Sequence, residues 1–152
     1  LLKLDVNHFN KKPRVRVSLM PQSYSDILEP KMQKISDRIQ DINRLKSLGW
    51  EVHINYSPVV IHKGFITKYD SLFKEVKDVA GENKCEVIFL TNHKYQMLKA
   101  SEEARQMMSM SNQVKNQQGV MRYELGLKSK GITHFKEQYS KYFNLETIRY
   151  IF

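Results

Sequence analysis

The chain has 152 residues, of which 41% are hydrophobic, and its 25 Lys and Arg outnumber 16 Asp and Glu to give a net charge of +9. This length fits one domain and is too short for a complete α/β barrel, which needs roughly 200 to 250 residues. No stretch approaches the roughly 18 consecutive apolar residues of a spanning helix, so we expect no membrane partner.

The positive charge lies mainly in the first and last thirds of the chain. A basic surface favours a polyanionic partner such as nucleic acid, although it can also serve only to keep a protein in solution. The single cysteine, Cys85, cannot form an internal disulfide, so we expect a reducing, cytoplasmic setting. The first residues lack an initiator Met and the order of a secretion signal, and we therefore expect a fragment of a longer protein.

The first half of the chain predicts two strands around one helix. Residues 14–20 alternate between polar and apolar side chains and end at Pro21, which is typical of a strand. After a turn-rich stretch, apolar residues recur every three or four positions over 35–48, which predicts an amphipathic helix. Residues 51–57 then predict a second strand, whose apolar side chains lie on one face and whose polar side chains lie on the other.

The second half predicts a helix that begins with Thr67 as its N-cap and Asp70 completing a capping box. The apolar run 85–90 predicts a third strand, and 91–93 form a polar shelf at its end. Strand, helix, strand, helix, strand is the order of a parallel βαβαβ sheet. The remaining predicted elements are a helix over 95–110, a polar linker over 109–119, an extended piece at 121–123, a helix over 127–143 and a terminal strand over 147–152.

Candidate ligand-binding residues follow from where parallel sheets bind ligands, at the C-terminal ends of their strands. This rule selects Ser18, Asn55, Ser57 and the shelf at 91–93. His53 shares a face with Asn55 and is either a hydrogen-bonded interior residue or part of a site. His53, His62 and His93 lack the spacing of a metal motif, so we expect no metal site built from them.

Arg122 and Tyr123 lie between the polar linker and a basic helix. An arginine and a neighbouring aromatic ring could contact nucleic acid through a phosphate pair and a stacked base. The alternative is an arginine on the solvated surface and a tyrosine packed on the core.

The ordered segments RVRVSLMPQ, LGWEVHINYSPVVIHKGF, CEVIFLTNHKYQ, VMRYELGLK and IRYIF, together with the Glu29-Pro30 pair, resemble the C-terminal half of the spore photoproduct lyase family. These are radical S-adenosylmethionine enzymes that repair DNA. The resemblance covers nearly the whole chain. It implies an α/β fold in which 1–110 form a parallel βαβαβ half of a partial (β/α)6 TIM-like barrel, and 111–152 form a C-terminal extension with a helix and a strand.

The family carries a 4Fe-4S cluster on a CxxxCxxC loop, converts S-adenosylmethionine to a 5′-deoxyadenosyl radical and reverses a thymine-dimer lesion in DNA. That loop is absent here, so the resemblance implies that the cluster ligands and catalytic residues lie in a missing N-terminal half and that this chain alone is inactive. Ser18 matches a family serine that contacts S-adenosylmethionine, and Ser57 occupies the next strand end. We assign Asn55 to the same cofactor-binding surface.

Arg122 and Tyr123 match an Arg-Tyr pair on a family hairpin that reaches the DNA lesion. The better-known members continue into a glycine- and aromatic-rich hairpin, whereas this chain continues with ELGLKSKGITHF and is predicted to turn helical. Two other hypotheses remain open at this point: a non-catalytic basic nucleic-acid-binding module, and another barrel-type enzyme fragment that uses His53 and Asn55.

Overall fold

The computed structural model describes residues 5–8, 13–92, 94–109 and 113–152. The strands are β1 (Arg14–Leu19), β2 (Glu51–Val59), β3 (Cys85–Phe89), β4 (Thr91–Asn92), β5 (Gln113–Lys115), β6 (Met121–Tyr123) and β7 (Ile148–Ile151). The helices are α1 (Gln22–Leu28), α2 (Ile35–Ser47), α3 (Phe65–Ala80), α4 (Lys94–Lys99), α5 (Glu102–Ser109) and α6 (Leu125–Tyr139), with short 3-10 helices at Val6–His8 and Leu145–Thr147.

The main sheet contains four parallel strands in the order β1-β2-β3-β7. The predicted parallel arrangement of the first three strands is confirmed, and the terminal strand joins them by placing Ile148 beside Cys85. The fold is therefore mixed α/β with a parallel sheet. The segment after residue 111 adds both β7 and α6 to the same core, and the division of the chain at residue 110 stays a prediction.

An aromatic cluster joins the helices to one face of the sheet. The Phe73 ring on α3 lies 5.2 to 5.3 Å, between centroids, from the rings of Tyr56, Phe135 and Tyr139. These four rings are almost fully buried, and burying one large apolar side chain stabilises a fold by roughly 1.5 to 3 kcal/mol. The cluster therefore fixes α3 and α6 on the sheet and leaves the opposite face of the sheet to its polar side chains.

Three helix predictions need correction. The turn-rich stretch after Pro21 forms α1, and the predicted helix over 95–110 is divided into α4 and α5, because the Ser101 hydroxyl accepts a hydrogen bond from Ala104 N and starts a new helix. The predicted capping box is wrong. Helix α3 begins after Gly64, whose φ of 77° suits glycine. Asp70 instead accepts hydrogen bonds from the side chains of Gln138 and Tyr142, which ties α3 to the last helix.

The predicted polar linker contains strand β5, which pairs with β6 in a small antiparallel sheet of order β4-β6-β5. The Asn116 side-chain oxygen accepts hydrogen bonds from the N–H groups of Gln118 and Val120, and Gly119 adopts a φ of 79°. Turn chemistry, not an apolar period, therefore creates this hairpin. Among the helices in the described ranges, none is long and apolar enough to cross a membrane.

Candidate functional site

The polar face of the main sheet carries a network of charged groups that crosses all four strands. Arg14 on β1 pairs with Glu51 on β2 at 3.2 Å, and Arg16 pairs with Glu86 on β3 at 3.0 Å. Arg149 on β7 lies 3.7 Å from the same Glu86 carboxylate. The period-two pattern of the strands places all these side chains on the face opposite the aromatic cluster. This face can hold polar ligands because it presents charged and hydrogen-bonding groups.

His53 is a buried member of this network, in agreement with the first of its two interpretations from the sequence, a hydrogen-bonded interior residue. Its Nε2 lies 2.9 Å from a Glu51 carboxylate oxygen, and its Nδ1 lies 3.4 Å from Arg149 Nη1. These partners fit a neutral ring that donates from Nε2 and accepts at Nδ1. Burial lowers the pKa of His53, in keeping with a neutral ring. Both ring nitrogens are thus engaged, which argues against His53 as the acid or base of a different barrel enzyme.

A cavity of about 640 Å³ lies at the C-terminal ends of β1, β2 and β3. Its size falls within the roughly 300 to 1,000 Å³ of small-molecule sites. Apolar side chains from three strand ends and from α5 form much of the wall. The polar wall residues comprise Glu29, Ser57, Thr91, Asn92, Gln96, Lys99 and Ser101. The cavity therefore lies where a parallel sheet is expected to bind a ligand.

The three predicted cofactor-binding residues share the polar face but not one cavity. Ser18 pairs in register with Asn55, and Ser57 follows two positions along β2. Ser57 lines the cavity at the strand ends, whereas Ser18 lines a second cavity of about 730 Å³ beside the edge of β1. Asn55 lines neither cavity, and its side-chain oxygen is buried without a hydrogen-bond partner among the described residues. Ser18 and Ser57 therefore line different cavities, and the contact of these residues with a cofactor stays a prediction.

Glu29 lines both cavities and is held by the buried side chain of Arg38. Arg38 Nη2 lies 2.7 Å from a Glu29 carboxylate oxygen, and Nη1 donates to the Ser18 carbonyl at 3.2 Å. This arginine joins the end of β1 to the connection that follows α1. It was missed in the sequence because a buried arginine on an amphipathic helix has no local signature.

Arg122 and Tyr123 point to opposite faces of the small sheet because they are neighbours in strand β6. Arg122 is exposed and lies opposite Thr91, which lines the strand-end cavity. Tyr123 is 1% exposed, and its hydroxyl accepts a hydrogen bond from Ile61 N at 2.9 Å. A ring buried in this way is not available to stack on a base, so the predicted contact of Tyr123 with DNA is wrong for this structure. The predicted contact of Arg122 stays a prediction.

Cys85 is fully buried on the helix side of the sheet, and its thiol donates to the Tyr139 hydroxyl at 3.4 Å. Burial raises the pKa of this thiol to about 11, so it is protonated at neutral pH and does not suit a metal ligand. In the part of the chain that the structure describes, no group of three His, Cys, Asp or Glu side chains could hold a metal ion. His93 of the polar shelf lies outside the described residues.

No protein-family model and no curated protein matches the chain. Solved structures do match. A spore photoproduct lyase variant with one cysteine replaced by alanine superposes with a TM-score of 0.68 and 14% identity, covering 91% of this chain and 43% of that chain.

A complex of spore photoproduct lyase with dinucleoside spore photoproduct gives a TM-score of 0.67, and a double variant with bound AdoMet and dinucleoside spore photoproduct gives 0.66, each at 13% identity. Both matches cover 91% of this chain and 43% of the other. The chain thus spans less than half the length of these structures. It has the fold of a part of spore photoproduct lyase, in agreement with the resemblance of its sequence.

Proposed function

We propose that this chain is the C-terminal half of a radical S-adenosylmethionine enzyme related to spore photoproduct lyase, which repairs thymine-dimer-type lesions in DNA. The observation that carries the proposal is the parallel sheet with a polar face and a strand-end cavity, in a fold shared with structures that bind AdoMet and dinucleoside spore photoproduct. The missing N-terminal half would complete the partial (β/α)6 barrel beside β1, and a cytoplasmic setting belongs to the same proposal.

The residues of this chain fit a role as one wall of the S-adenosylmethionine site. Ser57 lines the cavity, and the Asn55 side-chain oxygen is a buried acceptor that lacks a partner among the described residues. A buried polar atom without a partner is uncommon in native proteins and often marks a ligand contact. Ser18 would contact the cofactor from the edge of β1. When bound, the cofactor supplies a 5′-deoxyadenosyl radical, and the residues of this chain bind and orient it.

The residues of this chain do not fit a 4Fe-4S cluster. Cys85 is the sole cysteine of the sequence, and it is buried among aromatic side chains with a raised pKa. The cluster ligands would therefore come from outside this chain. Sequencing the coding region immediately upstream of Leu1 tests this directly, because the proposal requires a CxxxCxxC motif there.

The exposed Arg122, opposite Thr91 of the cavity wall, would contact DNA, supported by the net charge of +9. Phosphate contacts by basic residues make binding weaken steeply with added salt. We expect Arg122→Ala to weaken the binding of lesion-containing DNA by roughly 1 to 3 kcal/mol, which is the contribution of one charge-assisted hydrogen bond. Binding that does not change with salt or with this substitution would remove Arg122 from the proposed interface.

The cofactor assignment is tested by titrating S-adenosylmethionine calorimetrically into the protein assembled with its cluster-bearing half. Ser57→Val and Ser18→Val each remove a hydroxyl at nearly constant volume, and each should weaken binding by about 3- to 10-fold, the loss of one hydrogen bond. Ser129→Val on the exposed surface of α6 is the matched control. Equal affinity in all variants would mean that the serines do not contact the cofactor.

The non-catalytic nucleic-acid-binding module is not favoured, because the structural similarity is to an enzyme. It makes a different prediction in the same experiments. DNA binding that is salt-sensitive, in a protein that shows no affinity for S-adenosylmethionine and has no CxxxCxxC motif upstream, would reinstate it.

A further inference from the structure

Glu29 presents a carboxylate oxygen to the strand-end cavity. Among the described residues that line this cavity, Glu29 alone carries a carboxylate, and its side chain is 24% exposed, so a ligand can reach it. Ser25 Oγ donates to Glu29 Oε1 at 2.9 Å. Arg38 Nη2 lies 2.7 Å from the same oxygen, held by charge rather than by an aligned hydrogen bond. The other oxygen, Oε2, therefore keeps its capacity to accept a hydrogen bond from a ligand.

Arg38 positions this carboxylate relative to the end of β1. The arginine is 7% exposed, and its other nitrogens bind backbone oxygens on two sides. Nε donates to the Gln33 carbonyl at 3.0 Å, and Nη1 donates to the Ser18 carbonyl at 3.2 Å. One buried side chain thus joins the last part of β1, the residue that follows α1 and the connection that enters α2. Glu29 is held in a fixed place beside the cavity as a result.

Stability alone does not account for a charged pair at this place. Replacing a buried ion pair with apolar side chains of similar volume is often neutral or stabilising, because taking two charges out of water costs about as much as their attraction returns. The neighbouring inward residues of α2, Ile39 and Ile42, are apolar and fully buried. An apolar residue at position 38 would extend that face. What the pair adds is the orientation of the Glu29 carboxylate.

The chemistry of Glu29 selects the ligand group that it can bind. An ionised carboxylate accepts hydrogen bonds and cannot donate one, so it binds a hydroxyl or an N–H group. Acidic side chains that bind the 2′-hydroxyl of a ribose recur in nucleotide sites of parallel α/β folds. A deoxyribose lacks this hydroxyl. Its binding would cover the Glu29 oxygen without supplying a donor, and a polar site rejects such an analogue more strongly than an apolar pocket does.

We propose that Glu29, positioned by Arg38, selects a ribonucleoside over a deoxyribonucleoside in the strand-end cavity by accepting a hydrogen bond from the 2′-hydroxyl. The choice of ligand rests on the proposed function, in which one enzyme binds a ribonucleoside cofactor and DNA. A similar structure holds both AdoMet and dinucleoside spore photoproduct. Because both ligands contain nucleosides, the 2′-hydroxyl is a feature by which a cofactor site can exclude DNA. Glu29 is then a specificity-determining residue, and Arg38 is a positioning residue.

The experiment measures the binding of three nucleosides to the full chain by equilibrium dialysis. They are adenosine, 2′-deoxyadenosine and 2′-fluoro-2′-deoxyadenosine, the last of which keeps an electronegative atom at the 2′ position but has no O–H to donate. The protein variants are Glu29→Gln, Arg38→Met and the two substitutions together. Glu103→Gln on the exposed surface of α5 is the matched control.

We expect the wild-type chain to bind adenosine roughly tenfold or more tightly than either analogue, the contribution of one hydrogen bond to a charged group. In Glu29→Gln, Ser25 and Arg38 still bind the amide oxygen, so an N–H group replaces the acceptor and the preference should fall below about threefold. Arg38→Met should lower the preference similarly, and the double variant should lower it no further. A purely structural role would weaken all three nucleosides equally and leave the preference unchanged.

Four results would overturn the inference. They are equal affinity of the wild-type chain for adenosine and 2′-deoxyadenosine, adenosine-like binding of the fluorinated nucleoside, an unchanged preference in Glu29→Gln, and no binding of any nucleoside at millimolar concentration. Glu29→Gln and the three ligands remain decisive even if Arg38→Met does not fold. Loss of the sugar preference with intact S-adenosylmethionine binding would remove only this role of Glu29. A sugar preference in a protein without affinity for S-adenosylmethionine would instead remove the radical-enzyme assignment.

Discussion

Glu86→Gln is the substitution that tests whether the charged network stabilises the sheet. Glu86 is 8% exposed, and one of its carboxylate oxygens contacts the guanidinium groups of Arg16 and Arg149. The substitution keeps the shape of the side chain and removes its charge. Two positive groups from opposite edges of the sheet would then face one another across a neutral amide.

The expected loss of stability lies between two limits. Removing one partner of a fully buried ion pair costs about 3 to 5 kcal/mol, and an exposed pair contributes about 0 to 1 kcal/mol. The Glu86 side chain is 10% exposed, but those of Arg16 and Arg149 are 55% and 28% exposed, so water screens both arginines. We therefore expect a loss of about 2 kcal/mol, which is a shift of about 1 M in the urea midpoint for a slope of about 2 kcal/mol/M.

Equilibrium urea unfolding measures this shift, with Glu103→Gln on the exposed surface of α5 as the control. The control should change stability by less than about 0.5 kcal/mol. In a double-mutant cycle, Arg16→Met should recover part of the loss, because it removes one of the unpaired charges. A Glu86→Gln variant as stable as the control would refute the reasoning and leave the network without a structural role.

Three further predictions concern individual positions. Burial lowers the pKa of His53 below 6.5, so just below that pH the unfolded chain binds more protons than the folded chain, and the free energy of unfolding should fall as the pH drops through this range. His53→Gln should make this decrease smaller. An unchanged dependence of stability on pH would contradict the prediction. Gly131→Ala would bring a methyl group 2.6 Å from Ile61 Cδ1, and this clash should lower the thermal midpoint of unfolding although alanine has the better helix propensity. An increase in the midpoint would show that α6 can move away from Ile61. The Cys85 thiol, with its pKa raised to about 11, should resist a thiol reagent in the folded chain and react fully in urea, whereas fast reaction when folded would mean that the thiol is accessible.

The sequence by itself determined the elements that depend on local patterns. The alternation over 14–20 and 51–57 is enough to specify strands and to assign their side chains to two faces, although β2 continues through Pro58 to Val59. The parallel order of β1, β2 and β3 follows from the intervening helices, which must cross over the sheet. The polar face that carries Ser18, Asn55 and Ser57 was therefore predictable before any contact was known.

The tertiary structure decided what depends on partners distant in the chain. Tyr123 is buried because Ile61 and Phe89, from other parts of the chain, pack against it. Strand alternation places Tyr123 and Arg122 on opposite faces, but it does not determine which of the two side chains is buried. The Asn92 and Gln113 amides meet only because both strands pair with β6. Ser18 and Ser57 line different cavities because the packing of helices around each strand end, which no local pattern encodes, shapes the space between them.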